Sequence, residues 1–159
     1  MDYRTKIKEL AELKKETDRL KSEGKKIVFT NGCFDILHPG HTRYLASARA
    51  LGDYLVVAVN SDRSTRAIKG PARPINAQEA RAELLAALEC VDGVFIFDDE
   101  DPYKVIKTLM PDILVKGGDW AEDKIIGADI VKQGGGEVKR IPYISGHATT
   151  DIIQKIRES

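Results

Sequence analysis

The feature that most limits how this chain can fold is an alternation of strand-like and helix-like segments. Short β-branched runs occur at Lys26 to Phe29, Tyr54 to Asn60, Gly93 to Phe97, Ile113 to Val115 and Glu137 to Ile141. Helical patterns separate or follow them at His41 to Leu51, Ala77 to Leu88, Pro102 to Leu109, Asp123 to Gln133 and Thr150 to Arg157. Strand, helix and strand in repetition imply right-handed crossovers and a parallel sheet between two helical layers. The first two runs are continuously apolar, as strands covered on both faces must be. The expected class is α/β: a Rossmann-like three-layer sandwich around a five-stranded parallel sheet, plus an N-terminal helix. No repeat or low-complexity linker interrupts the alternation, and 159 residues suit a single core.

Met1 to Glu23 reads as one helix, with Leu10, Leu13, Thr17 and Leu20 on one stripe and Gly24 as its stop. The stripe either packs on the domain or meets a second copy. The expected organisation is residues 1–24 as this helix and 25–159 as the functional domain. Lys plus Arg equals Asp plus Glu at 25 each, so no global field attracts nucleic acid or an acidic membrane. Any phosphate recognition has to be local. Tyr54 to Val59 is too short to span a bilayer, and Met1 to Lys15 is too charged for a signal peptide. Two cysteines, Cys33 and Cys90, without CxxC spacing complete the expectation of a cytoplasmic protein.

In such sheets ligands sit beyond the C-terminal ends of the strands. The first loop there reads Thr30-Asn31-Gly32-Cys33-Phe34-Asp35-Ile36-Leu37-His38-Pro39-Gly40-His41. It links a strand to a helix, where free N–H groups favour anions. Two histidines three positions apart share one side of a helix start, and Gly40 lets a ligand approach the backbone. Zinc is disfavoured, because His147 is the only other histidine and no further ligand cluster stands nearby. A dinucleotide-dependent oxidoreductase is excluded too: no G-x-G-x-x-G follows the first strand, and Gly134-Gly135-Gly136 precedes a late one.

Gly32-x-Phe34-Asp35-x-x-His38-x-Gly40-His41 resembles the signature of the cytidylyltransferase-like branch of the HxGH nucleotidyltransferases. The likeness continues through Asn60-Ser61-Asp62, Lys69-Gly70-x-x-Arg73-Pro74, Arg81 and Val91-Asp92. It extends to Asp112-x-Leu114-Val115-Lys116-Gly117-Gly118-Asp119 and Ala148-Thr149-Thr150-Asp151-Ile152-Ile153. The resemblance implies transfer of a nucleoside monophosphate without a covalent enzyme intermediate. Within the family the pattern is most similar to the branch that joins ATP to a manno-heptose 1-phosphate.

Site roles follow from the same resemblance. His38, His41 and Lys69 are expected to be catalytic. Asn31, Gly32, Cys33, Phe34, Gly40, Lys116, Gly118, Asp119, Thr149 and Thr150 are expected to bind the nucleotide. Asp35, Asn60, Asp62, Arg73 and Arg81 are expected to bind the acceptor, although Arg81 lies in a helical stretch that could equally expose it. Mg²⁺ is expected to arrive on the triphosphate, with no protein metal site, and the partners are ATP, a sugar 1-phosphate and a second copy of the chain in a homodimer. Neither nucleic acid nor membrane is expected.

Two departures from the family pattern carry information. Ala148 stands where Ser is usual, so one hydroxyl is missing from the presumed phosphate seat. Tyr143-Ile144-Ser145-Gly146-His147 lacks the arginine that the glycerol-phosphate and ethanolamine-phosphate branches carry there. Another triphosphate remains an open alternative, whereas a non-catalytic nucleotide binder would predict loss of a histidine or of Lys69, and all are present.

Overall fold

The structure, a computed structural model, describes residues 1–118, 121–142 and 147–159. Among them, β1 (Ile27–Gly32), β2 (Tyr54–Asn60), β3 (Gly93–Phe97), β4 (Ile113–Gly117) and β5 (Glu137–Ile141) form one parallel sheet in the order β3-β2-β1-β4-β5. The connections carry α2 (Pro39–Arg49), α3 (Asp62–Lys69), α4 (Gln78–Ala86), α5 (Tyr103–Leu109) and α6 (Ala128–Gln133). Before β1 comes α1 (Leu10–Ser22), and after β5 comes α7 (Thr149–Glu158).

Successive residues of a strand face opposite sides, and here both sides are apolar. Val28, Leu55, Val57 and Val59 pack against Leu45 and Ala48 of α2 and Leu85 of α4. Ile27, Phe29, Val56 and Ala58 pack against Leu13 of α1, Ile106 and Leu109 of α5 and Val131 of α6. The expected three layers are therefore present, and they explain why β1 and β2 read as unbroken apolar runs. Strand order reverses between β1 and β4, whose pairing aligns Val28 with Ile113. That reversal opens a crevice at the C-terminal ends of these two strands.

At the opposite end of the sheet, acidic side chains bond to strand starts. Asp112 accepts from Ile27 N at 2.8 Å, and Asp92 accepts from Leu55 N at 2.8 Å and from Arg49 Nε at 2.8 Å. The Asp92 and Asp112 positions of the family pattern thus serve the fold.

Three local expectations need correction. The N-terminal segment is not one helix: Tyr3–Lys6 is a 3-10 turn, and α1 begins only at Leu10. Between them Ile7 bridges to Val94 of β3 in parallel, and Lys8 N donates to Val94 O at 3.0 Å. β3 is an edge strand with open main-chain groups, and pairing with it competes successfully with helix continuation. The expected stripe still holds, for Leu13 and Thr17 are fully buried.

The helix expected over Asp123 to Gln133 starts at Ala128, after a 3-10 turn at Glu122–Lys124 and Gly127 at φ +86°. A Cβ at Gly127 would stand 2.7 Å from Ile106 Cδ1, so the chain turns there close against α5. Helix α3 lies in Ser61 to Pro74, between the second strand run and the Ala77 to Leu88 pattern, where the sequence leads one to expect a loop. Its buried side chains, Ser64 and Thr65, are polar, so no apolar stripe announced it.

Candidate active site

The loop after β1 is held by small local constraints. Phe34 adopts φ +49°, a left-handed conformation that costs a non-glycine residue energy and persists only where packing enforces it. Its ring is buried over Gly32, where a Cβ would come within 2.9 Å of Phe34 Cε2. Pro39 opens α2 at its first position, where a missing N–H costs nothing and φ is already helical.

His38 is the N-cap of α2 and His41 lies in its first turn. Their rings stack with centroids 3.8 Å apart and 22° between planes, and Phe34 meets His41 edge-on at 5.3 Å. Gly40 is required between them, because a Cβ would sit 2.8 Å from His38 Cε1. Burial lowers the His41 pKa to about 4, with His38 adding to the effect. Burial also lowers His38, helped by His147 and opposed by Asp151. At neutral pH each ring is thus uncharged and offers one N–H. Both Nδ1 atoms are buried without a hydrogen-bond partner among the described residues.

These rings form one wall of a cavity of about 490 Å³. Of the residues nominated from sequence, Asn31, Cys33, Phe34, Asp35, His38, Gly40, His41, Lys69, Arg73, Lys116, Thr149 and Thr150 line it. Lys69 enters from the end of α3 and Lys116 from β4, while α2 and α7 present their first turns. Burial lowers the Lys116 pKa, Cys33 opposes that shift and Lys69 reinforces it. Three cationic side chains and two helix N-termini around one space make a receptor for a polyanion.

Thr149 joins the two sides, its hydroxyl donating to Ile36 O at 3.1 Å. The N-cap of α7 is Ala148, which provides no side-chain bond. A second recess of about 80 Å³ adjoins the first at Asn31 and Lys116, with Leu114 and Ile125 in its walls.

The nominated acceptor residues divide. Asp35 is buried in the lining and accepts from Arg73 Nε at 2.6 Å, Ile75 N at 2.8 Å and Asn76 N at 2.9 Å. Burial alone would raise its pKa, but the bonds from Asn76, Ile75 and Arg73 outweigh it and hold the carboxyl below the usual range. Arg73 faces the cavity while anchored through Nε.

Arg81, Asn60 and Asp62 lie outside the lining of the cavity. Arg81 is fully buried and donates to Cys33 O at 2.7 Å, Asn60 O at 2.7 Å and Asn76 O at 2.9 Å, with Asp62 as its ion-pair partner at 2.9 Å. A buried guanidinium needs such a full set of acceptors, and these lie on the loops themselves. Its geometry fits a brace beneath the site. Gly32 and Gly118 lie just outside the lining; Gly118, at φ +86°, donates to Ile141 O at 2.9 Å. Asp119 lies outside the described residues, as do 143–146.

Sequence reasoning did not nominate Tyr44, Gly117, Pro142, His147, Ala148 or Asp151, all in the lining. Tyr44 shares a 2.7 Å hydrogen bond with the Thr30 hydroxyl and reaches Val115 O at 3.4 Å, so it ties β1 to β4 beneath the cavity.

Known proteins show the same pattern. A family model described as cytidylyltransferase-like matches residues 29–153. The bifunctional protein HldE of Citrifermentans bemidjiense is 51% identical over 158 residues, which cover 99% of this chain and 32% of that protein. HldE of Hyphomonas neptunium is 54% identical over 140 residues, covering 88% and 29%. The chain spans about a third of the length of the curated relatives it matches. Among solved structures, the lipopolysaccharide core biosynthesis protein from Thermoplasma volcanium aligns with a TM-score of 0.61 at 34% identity, covering 76% of this chain and 98% of that one. Pantoate-beta-alanine ligase from Francisella tularensis has the same TM-score at 16% identity, covering 96% and 78%, and shows a shared fold alone. Since the matched region runs from β1, through the paired histidines at the start of α2, into α7 across the cavity, the chain belongs to the cytidylyltransferase-like family.

Proposed function

We propose that this chain is an adenylyltransferase that converts ATP and a D-glycero-D-manno-heptose 1-phosphate to ADP-heptose and pyrophosphate, for lipopolysaccharide core or surface glycan assembly. The observation that carries the reading is the stacked His38–His41 pair at the start of α2, facing a cationic cavity between two helix N-termini. Transfer of this kind needs positioning and charge stabilisation rather than a protein nucleophile. An oxygen of the sugar phosphate attacks the α-phosphorus in line. The new P–O bond forms as the bond to the bridging β-phosphate oxygen breaks, and pyrophosphate leaves with that electron pair. His38 and His41 donate N–H groups to the charge that develops, and Lys69 with the α7 N-terminus receives the leaving group. Arg73, anchored by Asp35, faces the same anions.

Mg²⁺, when bound with the triphosphate, neutralises part of the polyphosphate charge. Asp151 is the carboxylate of the lining able to share such an ion, because Asp35 is engaged by Arg73 and two loop N–H groups. No described helix is long and apolar enough to cross a membrane. We place the reaction in the cytoplasm and in a homodimer. The heptose assignment is supported by the Lys116-Gly117-Gly118 block and by half-identical relatives named HldE. The test is pyrophosphate release with each of the four triphosphates against a panel of sugar 1-phosphates and glycerol 3-phosphate. ATP with the heptose phosphate is expected to be the best pair. Turnover of CTP with glycerol 3-phosphate, and none with ATP and the heptose, would overturn the proposal.

A further inference from the structure

The mouth of α7 is short of side-chain donors. The Thr149 hydroxyl points its hydrogen at Ile36 O, 3.1 Å away, so toward an anion it offers lone pairs. Ala148, the N-cap, has nothing to donate. Thr150 and the N–H groups of the first turn remain, together with one polar side chain placed immediately before the helix, His147. This imidazole lines the cavity, and its Cβ is only 3.0 Å from where a Cβ on Gly40 would stand. Its ring lies 6.3 Å from that of His38 with 19° between planes. Since His41 stacks on His38 at 3.8 Å, three imidazoles extend from α2 to the start of α7.

We propose that His147 is a third catalytic histidine, which contacts the triphosphate and donates an N–H to the departing pyrophosphate at the mouth of α7, where the N-cap side chain offers no donor. The proposal rests on the adenylyltransferase reading for its reaction and on the cavity geometry for its ligand. The electrostatic effect of His147 on His38 agrees with the two rings sharing one space. Neither His38 nor His41 lies at the helix that receives the leaving group, so His147 adds a contact they do not make.

The test compares His147→Ala, His147→Gln and the double variant His147→Ala with Ala148→Ser, measuring kcat and KM for ATP and, separately, calorimetric affinity for ATP and for inorganic tripolyphosphate. His147→Ala is expected to lower kcat about 10-fold or more, a modest share of what a transition-state donor supplies. His147→Gln, which keeps an N–H donor, should lose less. Restoring an N-cap hydroxyl in the double variant should recover much of the loss. His147→Ala with parental turnover and parental tripolyphosphate affinity would overturn the proposal, as would a loss that neither Gln nor the added serine relieves. A parent inactive with ATP and the heptose phosphate would sink the substrate assignment alone. The tripolyphosphate titration would still decide about His147, a drop of about 5-fold in affinity supporting it and equal affinity refuting it.

Discussion

At the residue scale the site depends on two neutral imidazoles held face to face by an absent side chain. Gly40 leaves the space that His38 occupies, and Phe34 in its left-handed conformation supports His41 from the edge. Neutral rings suit a donor role, since each can give one N–H without being held against the neighbouring charge of the other. Replacing His38 or His41 by Ala is therefore expected to lower kcat by about 10² or more, the scale seen when one preorganised donor is lost. Circular dichroism should show the fold unchanged. A variant that turns over near the parental rate would remove that histidine from the chemistry.

At the scale of elements, the cavity is assembled by loops that bond to one another more than to ligand-free space. Asp35, in the loop after β1, grips Arg73, Ile75 and Asn76 of the segment between α3 and α4, and Asn76 Nδ2 returns a bond to Asp35 O at 2.8 Å. Arg81 from α4 secures the same two loops from below through Cys33 O and Asn76 O. Asp35→Asn removes the negative charge from a buried pair whose Arg73 partner is mostly covered. The expected cost is about 3 kcal/mol or more in urea unfolding, because a buried charge is left without its partner. Catalytic efficiency should also fall by at least about 10-fold as Arg73 loses its anchor. Wild-type stability together with wild-type kcat/KM would show that the pair neither holds the loops nor orients Arg73.

At the scale of the whole molecule, acid stability should report on the half-buried His41. His41 titrates near 4 in the folded chain, mainly through burial, against about 6.5 when unfolded. Between those values the unfolded chain binds the extra proton and the folded chain does not, so stability is complete above about pH 6.5 and declines as pH falls toward 4. Melting temperatures measured across that window should fall less steeply for His41→Gln than for the parent. Parallel curves would mean that His41 is not the group responsible.

The same scale separates what is written along the chain from what arises on folding. Periodicity by itself determined the five strands, most of the helices and the parallel sheet, because burial on two faces leaves continuous apolar runs in the strands and stripes in the helices. It also located the HxGH turn, whose Pro and Gly have local conformational reasons. It missed α3, which buries Ser64 and Thr65 rather than an apolar stripe, and the break before α1, where an edge strand far along the chain offers Ile7 a partner. The family resemblance nominated Arg81, Asn60 and Asp62 for the acceptor, and in the fold all three lie outside the cavity lining, with Arg81 bonded to main-chain carbonyls. Only tertiary structure could decide that, because a guanidinium has the same chemistry toward a phosphate as toward a ring of main-chain carbonyls. Which of the two it meets depends on the chain just after β1, the end of β2 and the segment before α4, distant in sequence, which converge around the Arg81 side chain.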